Sequence, residues 1–215
     1  MNRRGLLLSA VGGAFVAAAA ARPATAQHAG ALPPPGPGQA TAVFAGGCFW
    51  CMEPPFDALD GVLATTAGYT GGHLARPTYE QVGAGDTGHI EGIHILYDPS
   101  RVPYARLLDV FWRNVDPLDG GGQFCDRGES YATAVFARDA EQRRLAEASK
   151  AEVEGRLRRP VATPVRDAGP FWPAEDYHQD YYRKNPARYR FYRWNCGRDA
   201  RLRAVWGDEA GSGSH

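Results

Sequence analysis

No stretch of this sequence is both long enough and apolar enough to predict a membrane-spanning helix. The N-terminal apolar run, residues 5–21, is short and made mostly of Ala and Gly, whereas a spanning helix needs about 20 strongly apolar residues. The run follows Arg3-Arg4 and precedes Ala24-Thr25-Ala26, a pattern typical of a cleaved secretory signal peptide. We predict a signal peptide at residues 1–26, a periplasmic location and no stable membrane association after cleavage. The arginine pair favours the twin-arginine route, although a Sec signal also starts basic.

The chain also lacks an excess of charge of either sign, with 24 basic and 24 acidic residues. Removing residues 1–26 takes away three arginines and no acidic residue, which leaves 21 basic residues. A nucleic-acid partner would require a basic face, so we do not expect one. About 190 residues remain, which suits one domain. No internal repeat is visible, and we expect a monomer.

Apolar residues are scarce at both ends of the mature chain. Residues 27–39 contain four prolines at positions 33, 34, 35 and 37, and such a composition is typical of a linker that does not pack. Residues 208–215 end in Gly-Ser-Gly-Ser-His, which indicates a flexible tail. The folded domain is therefore predicted to cover residues 40–207.

The mature chain has only four cysteines, Cys48, Cys51, Cys125 and Cys196. An even number in an exported protein usually indicates structural disulfides, but a domain of this size does not need them. The Cys48-x-x-Cys51 spacing is typical of redox pairs. A zinc site is less well supported, because Cys125 and Cys196 do not form a second close pair. We expect neither a metal nor an organic cofactor.

The residues 43–53, Val-Phe-Ala-Gly-Gly-Cys-Phe-Trp-Cys-Met-Glu, predict a strand, a tight turn and a helix. Cys48 falls at the first position from which the helix could start. Unpaired backbone N–H groups there favour the thiolate and can lower the pKa of a thiol. Phe49 and Trp50 could form an apolar wall for a small substrate. The alternative is a structural thiol buried beneath core aromatic residues.

Hydrophobic periodicity predicts an alternating α/β chain. The predicted strands are residues 41–45, 62–69, 90–97, 132–136 and 161–165. The predicted helices are residues 49–59, 104–115 and 140–157, with short helical turns within 79–85 and 175–184. This alternation predicts a two-layer α/β sandwich followed by a coil-rich C-terminal segment.

Polar residues interrupt this pattern where loops meet strands. Glu91 lies between apolar neighbours at the start of a strand, where a desolvated carboxyl would have a raised pKa and could act as a general acid. Tyr79 and Tyr131 could donate hydrogen bonds to a developing oxyanion. The alternatives are a solvent-facing glutamate and half-buried packing tyrosines. The six histidines are scattered singly and are interpreted as surface or core residues.

Several motifs resemble, in order and spacing, the A-type peptide methionine sulfoxide reductases. They are Gly46-Gly47-Cys48-Phe49-Trp50, Tyr69-Thr70-Gly71-Gly72, Pro77-Thr78-Tyr79, Gly85-Asp86-Thr87-Gly88-His89-Ile90-Glu91, Tyr97-Asp98-Pro99 and Phe111-Trp112. The resemblance covers about residues 40–206. It implies a ferredoxin-like sandwich with a mixed, largely antiparallel sheet. It also implies reduction of the S epimer of methionine sulfoxide, free or in proteins, and regeneration by thioredoxin or a similar donor.

The resemblance also implies roles for individual residues: Cys48 as nucleophile, Glu91 as acid, Phe49 and Trp50 as the methyl-binding wall, and Tyr79, Asp126 and Tyr131 on the oxygen side. Attack by the thiolate on sulfur would leave a sulfenic acid, which a second thiol converts into a disulfide. Two departures bear on these roles. Many members have glycine in place of Cys51, and many have Gln-Tyr-Arg-Ser where this chain reads Ser130-Tyr131-Ala132-Thr133.

We predict the resolving thiol from how easily each of the other cysteines can approach Cys48. Cys51 lies one helical turn from Cys48, with its side chain expected in the packing face of the helix. Cys196 lies in a segment expected to move, so we predict a first disulfide between Cys48 and Cys196, with Cys51 or Cys125 as a relay. Two other functions remain open: a thiol-disulfide oxidoreductase using Cys48 and Cys51, and a secreted binding domain stapled by two disulfides.

Overall fold

The structure is a computed structural model that describes Leu32 and residues 34–211. The predicted signal peptide, most of the first half of the predicted linker and residues 212–215 lie outside the described residues. Within the described part, no helix has the length and apolar character needed to cross a membrane.

Eight strands and seven helices form the described domain, with additional 3-10 turns at Glu129–Tyr131 and Gly207–Glu209. The strands are β1 Ala40–Gly46, β2 Val62–Thr70, β3 Ile90–Tyr97, β4 Gly122–Gln123, β5 Asp126–Arg127, β6 Thr133–Ala137, β7 Val165–Asp167 and β8 Phe171–Pro173. The helices are α1 Phe49–Asp57, α2 Tyr79–Ala84, α3 Tyr104–Arg113, α4 Ala140–Leu157, α5 Tyr181–Lys184, α6 Pro186–Asn195 and α7 Arg198–Trp206.

The main sheet has six strands in the order β7-β6-β1-β3-β2-β8. All neighbouring pairs are antiparallel except β6 and β7, which are parallel. Its four central strands follow the order β6-β1-β3-β2, with α1 connecting β1 to β2 and α3 lying between β3 and β6 in the chain. This arrangement confirms the predicted ferredoxin-like sandwich with a mixed, largely antiparallel sheet.

The core lies between the sheet and the helices α1 and α3. Phe44 of β1 stacks on Phe56 of α1, with ring centroids 5.6 Å apart, and on Phe111 of α3 at 5.1 Å. All three rings are fully buried. Replacing such a ring by alanine costs about 3–5 kcal/mol, so this stack fixes the position of α1 on the sheet.

Two glycines shape the turn that connects β1 to α1. A Cβ atom on Gly46 would lie 2.5 Å from the Met52 sulfur, and one on Gly47 would lie 2.5 Å from Cβ of Gln123. Gly47 also has a φ of +76°, which favours glycine. The turn therefore requires both glycines, and it places Cys48 at the N-cap of α1.

The sequence-based elements differ from the structure mainly after residue 160. The predicted strand at residues 161–165 is wrong in position, because Pro164 has no N–H for a ladder and β7 begins only at Val165. Within the predicted helical turn at residues 175–184, only the residues of α5 are helical. The C-terminal segment is helical rather than coil-rich, since α6 and α7 cover most of residues 186–206. Aromatic and arginine residues dominate α6, so it lacks the apolar stripe by which α3 was predicted.

The start of the predicted tail is attached to the domain. Glu209 accepts hydrogen bonds from Arg113 of α3 and from Arg156 of α4. Gly211 donates its N–H to the carbonyl of Arg113. The ordered domain therefore extends beyond the predicted boundary at residue 207.

Candidate active site

The predicted site residues meet at one end of the sheet, around a cavity of about 70 Å³. Cys48 and the apolar wall come from the start of α1, Glu91 from β3, and the tyrosines from α2 and the 3-10 turn before β6. The cavity is lined by Cys48, Phe49, Trp50, Tyr79, Glu91, Asp126, Tyr131 and Tyr192. A larger cavity of about 400 Å³ between α3 and α4 contains none of these residues.

Glu91 is buried at the cavity, with only 3 % of its surface exposed. Its Oε2 atom accepts a hydrogen bond from the Phe49 N–H at 3.0 Å, which ties β3 to the first residue of α1. Burial raises the pKa of Glu91 to about 8, and this effect outweighs the lowering by the Phe49 hydrogen bond. The carboxyl is therefore largely protonated at neutral pH and can serve as a general acid.

The two thiols of α1 interact directly. Cys51 occupies the third helical position, its N–H donates to the Cys48 carbonyl at 3.0 Å, and its side chain is hydrogen-bonded to that of Cys48. Cys51 lies buried in the packing face of α1, as expected, against Tyr181 and Tyr189, and from there it still contacts Cys48 without unwinding of the helix.

The charge within this thiol pair also differs from expectation. Burial, followed by the influence of Cys51 and Glu91, raises the pKa of Cys48, so the predicted lowering of this pKa by the helix N-terminus is wrong for the substrate-free cavity. The hydrogen bond from Cys48 lowers the pKa of Cys51 to about 6, with help from Arg198 and Arg193. Within the pair, Cys48 is therefore the thiol that holds its proton more strongly, and Cys51 is the one that ionises more readily.

Two neutral tyrosine side chains, Tyr79 and Tyr131, line one side of the cavity. Burial raises the pKa of Tyr79 and of Tyr131, whose hydroxyls interact with each other. The Tyr79 N–H donates to Glu175 at 2.9 Å, which fixes the start of α2. Both tyrosines thus keep their protons and can donate hydrogen bonds to an oxygen atom.

Asp126 is supported by the C-terminal helices. The hydroxyl of Tyr192 on α6 donates to Oδ2 of Asp126. Burial raises the pKa of Asp126, while Tyr192 and the Arg198 guanidinium lower it. These contacts give Asp126 a polar environment.

Trp50 is held by two residues outside the predicted site, His178 and Tyr181. Its indole Nε1–H donates to Nδ1 of His178 at 3.0 Å, and its ring stacks on Tyr181 with centroids 3.7 Å apart. His178 also packs against Phe49 at 4.9 Å and against Tyr79 at 4.5 Å. Burial lowers the pKa of His178 to about 4, so the ring is neutral and can accept the indole hydrogen bond.

A model of the family described as peptide methionine sulfoxide reductase matches residues 40–210. The peptide methionine sulfoxide reductase MsrA of Bacillus licheniformis is 52% identical over 168 residues, which are 77% of this chain and 93% of the relative. This chain belongs to the peptide methionine sulfoxide reductase family. It is an oxidoreductase that converts methionine sulfoxide to methionine.

Other members of the family agree in sequence and in fold. MsrA 2 of Rhizobium meliloti is 52% identical over 172 residues, covering 80% of this chain and 86% of the relative. The crystal structure of reduced Mxr1 from Saccharomyces cerevisiae covers 72% of this chain and 90% of its own, with a TM-score of 0.68 and 28% identity. Methionine sulfoxide reductase A of Corynebacterium diphtheriae covers 70% and 77%, with a TM-score of 0.63 and 29% identity.

In this reductase the other two cysteines form a disulfide. Cys125 and Cys196 have Cα atoms 4.9 Å apart, whereas Cys48 and Cys51 are free. A domain stapled by two disulfides is therefore not what the structure shows. The predicted Cys48–Cys196 disulfide concerns the oxidised enzyme and stays a prediction, but Cys196 has another partner here. Cys125, Asp126 and Cys196 bring potential ligand atoms within 4.8 Å, yet the disulfide occupies both sulfurs, so the group does not fit a metal.

Sequence reasoning missed three residues that serve this site. Tyr192 lines the cavity, His178 orients Trp50, and Arg198 contributes positive charge near Cys51. All three come from the segment after residue 174. The only sequence signal was the high content of tyrosine and arginine there, which indicated packing without indicating a partner.

Proposed function

We propose that this reductase acts on the S epimer of methionine sulfoxide, with Cys48 as nucleophile and Glu91 as general acid. The observation that carries the proposal is a protonated, buried carboxyl facing the same small cavity as a thiol. A water molecule occupies about 30 Å³ of liquid, so a cavity of about 70 Å³ admits the end of a side chain. Access through one narrow opening accommodates methionine sulfoxide both free and within an unfolded or exposed segment.

The lining divides the cavity into an apolar and a polar side. Phe49 and Trp50 form the apolar wall against which the substrate methyl group packs. Glu91, Tyr79 and Tyr131 provide protons for the sulfoxide oxygen. With the methyl group and the oxygen assigned to opposite sides and Cys48 facing the sulfur, the third substituent, the side-chain methylene, must point out of the cavity, so the lining distinguishes the two epimers.

The chemical step moves two protons and one oxygen atom, and it forms and then breaks a bond between the Cys48 sulfur and the substrate sulfur. Cys48 attacks the sulfoxide sulfur while its proton passes to the Cys51 thiolate, and Glu91 gives its proton to the oxygen. Transfer of this hydroxyl to the Cys48 sulfur releases methionine and leaves a sulfenic acid. Sulfur of the substrate is reduced by two electrons and Cys48 is oxidised by two, so the step balances without a metal.

Cys51 is the resolving thiol in this proposal. After the chemical step it carries the proton taken from Cys48 and lies in contact with the sulfenic acid. Its attack forms a Cys48–Cys51 disulfide and releases water. Cys51 makes this contact without movement of the backbone, whereas Cys196 would first have to be released from Cys125. This order replaces our sequence-based choice of Cys196 as the first partner of Cys48.

The second pair then serves as the relay. Cys48 and Cys51 are 5 % and 1 % exposed, so a protein reductant cannot reach a bond between them. Cys125 is exposed, and the Cys196 sulfur lies 3.9 Å from Asp126, a residue of the cavity. Reduction of the Cys125–Cys196 disulfide supplies two thiols that exchange with the Cys48–Cys51 disulfide. We infer a thioredoxin-like donor, and Mxr1 of Saccharomyces cerevisiae has been solved in complex with Trx2.

A count of free thiols tests this function. The fully reduced protein should lose two thiols for each equivalent of methionine-S-sulfoxide, and the R epimer should leave the count unchanged. Peptide mapping without reduction should identify Cys48 joined to Cys51 in the Cys125→Ser/Cys196→Ser double variant. Absence of thiol loss with the S epimer would contradict the proposed reaction.

Burial of the thiols disfavours the alternative of a general thiol-disulfide oxidoreductase. A protein disulfide must approach the attacking sulfur directly, and the cavity excludes a second backbone. If Cys48 and Cys51 nonetheless reduced insulin disulfides as fast as methionine sulfoxide, the alternative would be favoured.

The N-terminal pattern supports a further proposal, export to the periplasm with cleavage before Gln27. Mass spectrometry of the protein from the periplasmic fraction should give a mature N-terminus at Gln27, and substitution of Arg3-Arg4 by lysines should block export if the route is the twin-arginine one. We propose that the mature protein acts as a monomer, which size-exclusion chromatography with light scattering measures directly.

A further inference from the structure

The helix α6 presents two different faces. Its inner face carries Tyr189, which is buried, and Tyr192, which reaches Asp126. Its outer face carries Phe191 and Trp194, which are 64 % and 73 % exposed and lie against each other with ring centroids 6.0 Å apart. Two large aromatic rings exposed side by side form an apolar patch at the surface. Such a pair is typical of a protein-binding surface.

Unpaired positive charge surrounds these rings. The segment Tyr181–Trp206 contains eight basic residues and one acidic residue, although the chain as a whole is neutral. Arg188 and Arg190, on the same outer side of α6, are exposed and form no ion pair with any residue that the structure describes. A partner for this surface should therefore carry acidic side chains.

The exposed disulfide lies at the end of the same helix. Cys196 is the C-cap of α6, two residues after Trp194, and its sulfur accepts a hydrogen bond from the Cys125 N–H at 3.2 Å. Cys125 is exposed. A protein that rests on the outer face of α6 would thus meet a disulfide at the edge of its contact.

We propose that the outer face of α6, formed by Arg188, Arg190, Phe191 and Trp194, is the docking surface for a dithiol protein with an acidic face. This inference rests on the proposed regeneration through Cys125–Cys196. In the docked complex the two thiols of the partner are oxidised to a disulfide, and the Cys125–Cys196 bond is reduced to two thiols. Two electrons and two protons pass, and no further reactant is required.

The two kinds of side chain contribute differently to docking. The aromatic pair supplies the apolar area that becomes buried, and loss of one such ring from an interface typically costs about 2 kcal/mol or more, or about 30-fold in affinity. The arginines raise the rate of encounter, and their effect falls as salt is added. Docking should therefore depend on both ring size and ionic strength.

The experiment compares two electron donors for the same reaction. Reduction of methionine sulfoxide is followed with thioredoxin, thioredoxin reductase and NADPH at varied thioredoxin concentration, and separately with dithiothreitol. In Trp194→Ala and Phe191→Ala we expect the KM for thioredoxin to rise at least about tenfold. The rate with dithiothreitol should stay unchanged, because neither ring touches the cavity. Leu63→Ala is the matched control, since Leu63 is 45 % exposed on β2.

A charge reversal tests the other half of the surface. In the Arg188→Glu/Arg190→Glu double variant at low salt, we expect the KM for thioredoxin to be higher than in the wild type. Added salt should lower the KM of this variant, whereas it should raise the KM of the wild type. Arg159→Glu, on the exposed loop after α4, is the control. An unchanged KM in both the aromatic and the charge variants would overturn the docking surface.

Two further results distinguish a failure of the docking surface from a failure of the proposed function. If the dithiothreitol-driven rate falls in parallel with the thioredoxin-driven rate, α6 acts on the chemistry and the docking proposal is overturned. If the wild type reduces no methionine sulfoxide with dithiothreitol, the proposed function fails, independently of where a partner binds.

Discussion

The turn from β1 into α1 and the C-terminal segment from residue 174 through α7 both contribute to the site, yet they differ in how they do so. The first region supplies the two thiols and the apolar wall within four consecutive residues, 48–51. The second supplies supports from separate positions: His178 behind Trp50, Tyr192 on Asp126, and Arg198 near Cys51. Chemistry is concentrated in a short motif, while the environment that adjusts it comes from a distant segment.

The pKa of Cys48 differs from the value that its position at the start of a helix would suggest. A thiol at the N-terminus of an isolated helix should ionise readily. In the folded protein Cys48 is desolvated and flanked by Glu91 and Cys51, so its pKa rises. The hydrogen bond from Cys48 lowers the pKa of Cys51, one turn further on, and the arginines of α6 and α7 lower it further.

The largest effect is expected from Cys48→Ser. This change replaces the attacking sulfur with a hydroxyl that does not ionise at neutral pH, so reduction of methionine-S-sulfoxide with dithiothreitol should be abolished. The fold should be retained, because Cys48 and serine are similar in size. Activity is measured by chromatography of released methionine, and circular dichroism provides the control for folding. Measurable turnover in the variant would refute the role of Cys48.

Glu91→Gln should have the second largest effect. Glutamine can still accept the Phe49 hydrogen bond but cannot give a proton to the sulfoxide oxygen. We expect the rate of the chemical step to fall by about 10²–10⁴-fold, the usual share of general acid catalysis. Single-turnover measurement of methionine formation isolates this step from regeneration. A decrease of less than tenfold would indicate that Glu91 has only a packing role.

The rate of the chemical step should depend on pH through the titration of Cys51 and of Glu91. As pH rises through about 6, Cys51 loses its proton and can accept that of Cys48, so the single-turnover kcat/KM should increase. As pH rises through about 8, Glu91 loses its proton and kcat/KM should decrease. Each limb should approach tenfold per pH unit.

Two variants assign these limbs. Cys51→Ser should remove the acidic limb in single turnover and keep the alkaline one, while Glu91→Gln should remove the alkaline limb. An alkaline limb that persists in Glu91→Gln would assign that titration to another group.

A smaller effect is expected from Tyr192→Phe, which removes the support of Asp126 and keeps the ring. Loss of a hydrogen bond to a charged group typically costs about 1.5–3 kcal/mol, so the chemical step should slow by about 10–100-fold. Tyr182→Phe is the matched control, because the Tyr182 hydroxyl donates to Asp57 at 2.7 Å outside the cavity. Equal losses of activity in the two variants would show that stability alone is affected.

The sequence was sufficient for the four central strands and for α1, α3 and α4, since each has a clear period and a clear start. The predicted spans of β3 and α4 agree with the structure at both ends. The same reasoning failed for α6, where aromatic and arginine residues occur on both faces. Long-range contacts decide which of these faces is buried, and a single sequence contains no direct signal for them.

The candidate site shows the same limit. Residues with their own reactivity, such as Cys48 and Glu91, could be selected by type and position. The contact between Cys51 and Cys48 could not be predicted, because it depends on the side-chain conformations of two residues one helical turn apart, which the sequence pattern does not give. The partner of Cys196 depended on β4 and β5, two strands of two residues each that leave almost no pattern in the sequence.

The smallest effect, and the most selective test of the C-terminal region, is expected at His178. His178→Ala removes the acceptor of the Trp50 indole hydrogen bond, which is worth about 1 kcal/mol, or about fivefold. Because Trp50 forms the apolar wall, this loss should appear mainly in the KM for methionine sulfoxide, with kcat little changed. His178→Asn, which offers a side-chain acceptor, should restore part of the KM, and the fluorescence of Trp50 should change in parallel. His94→Ala provides the control, since His94 is also buried but lies on the opposite face of β3 from Glu91, against Phe171. If both histidine variants raise KM equally, and asparagine restores neither KM nor fluorescence, His178 contributes only to packing, and the indole is oriented by its stack on Tyr181.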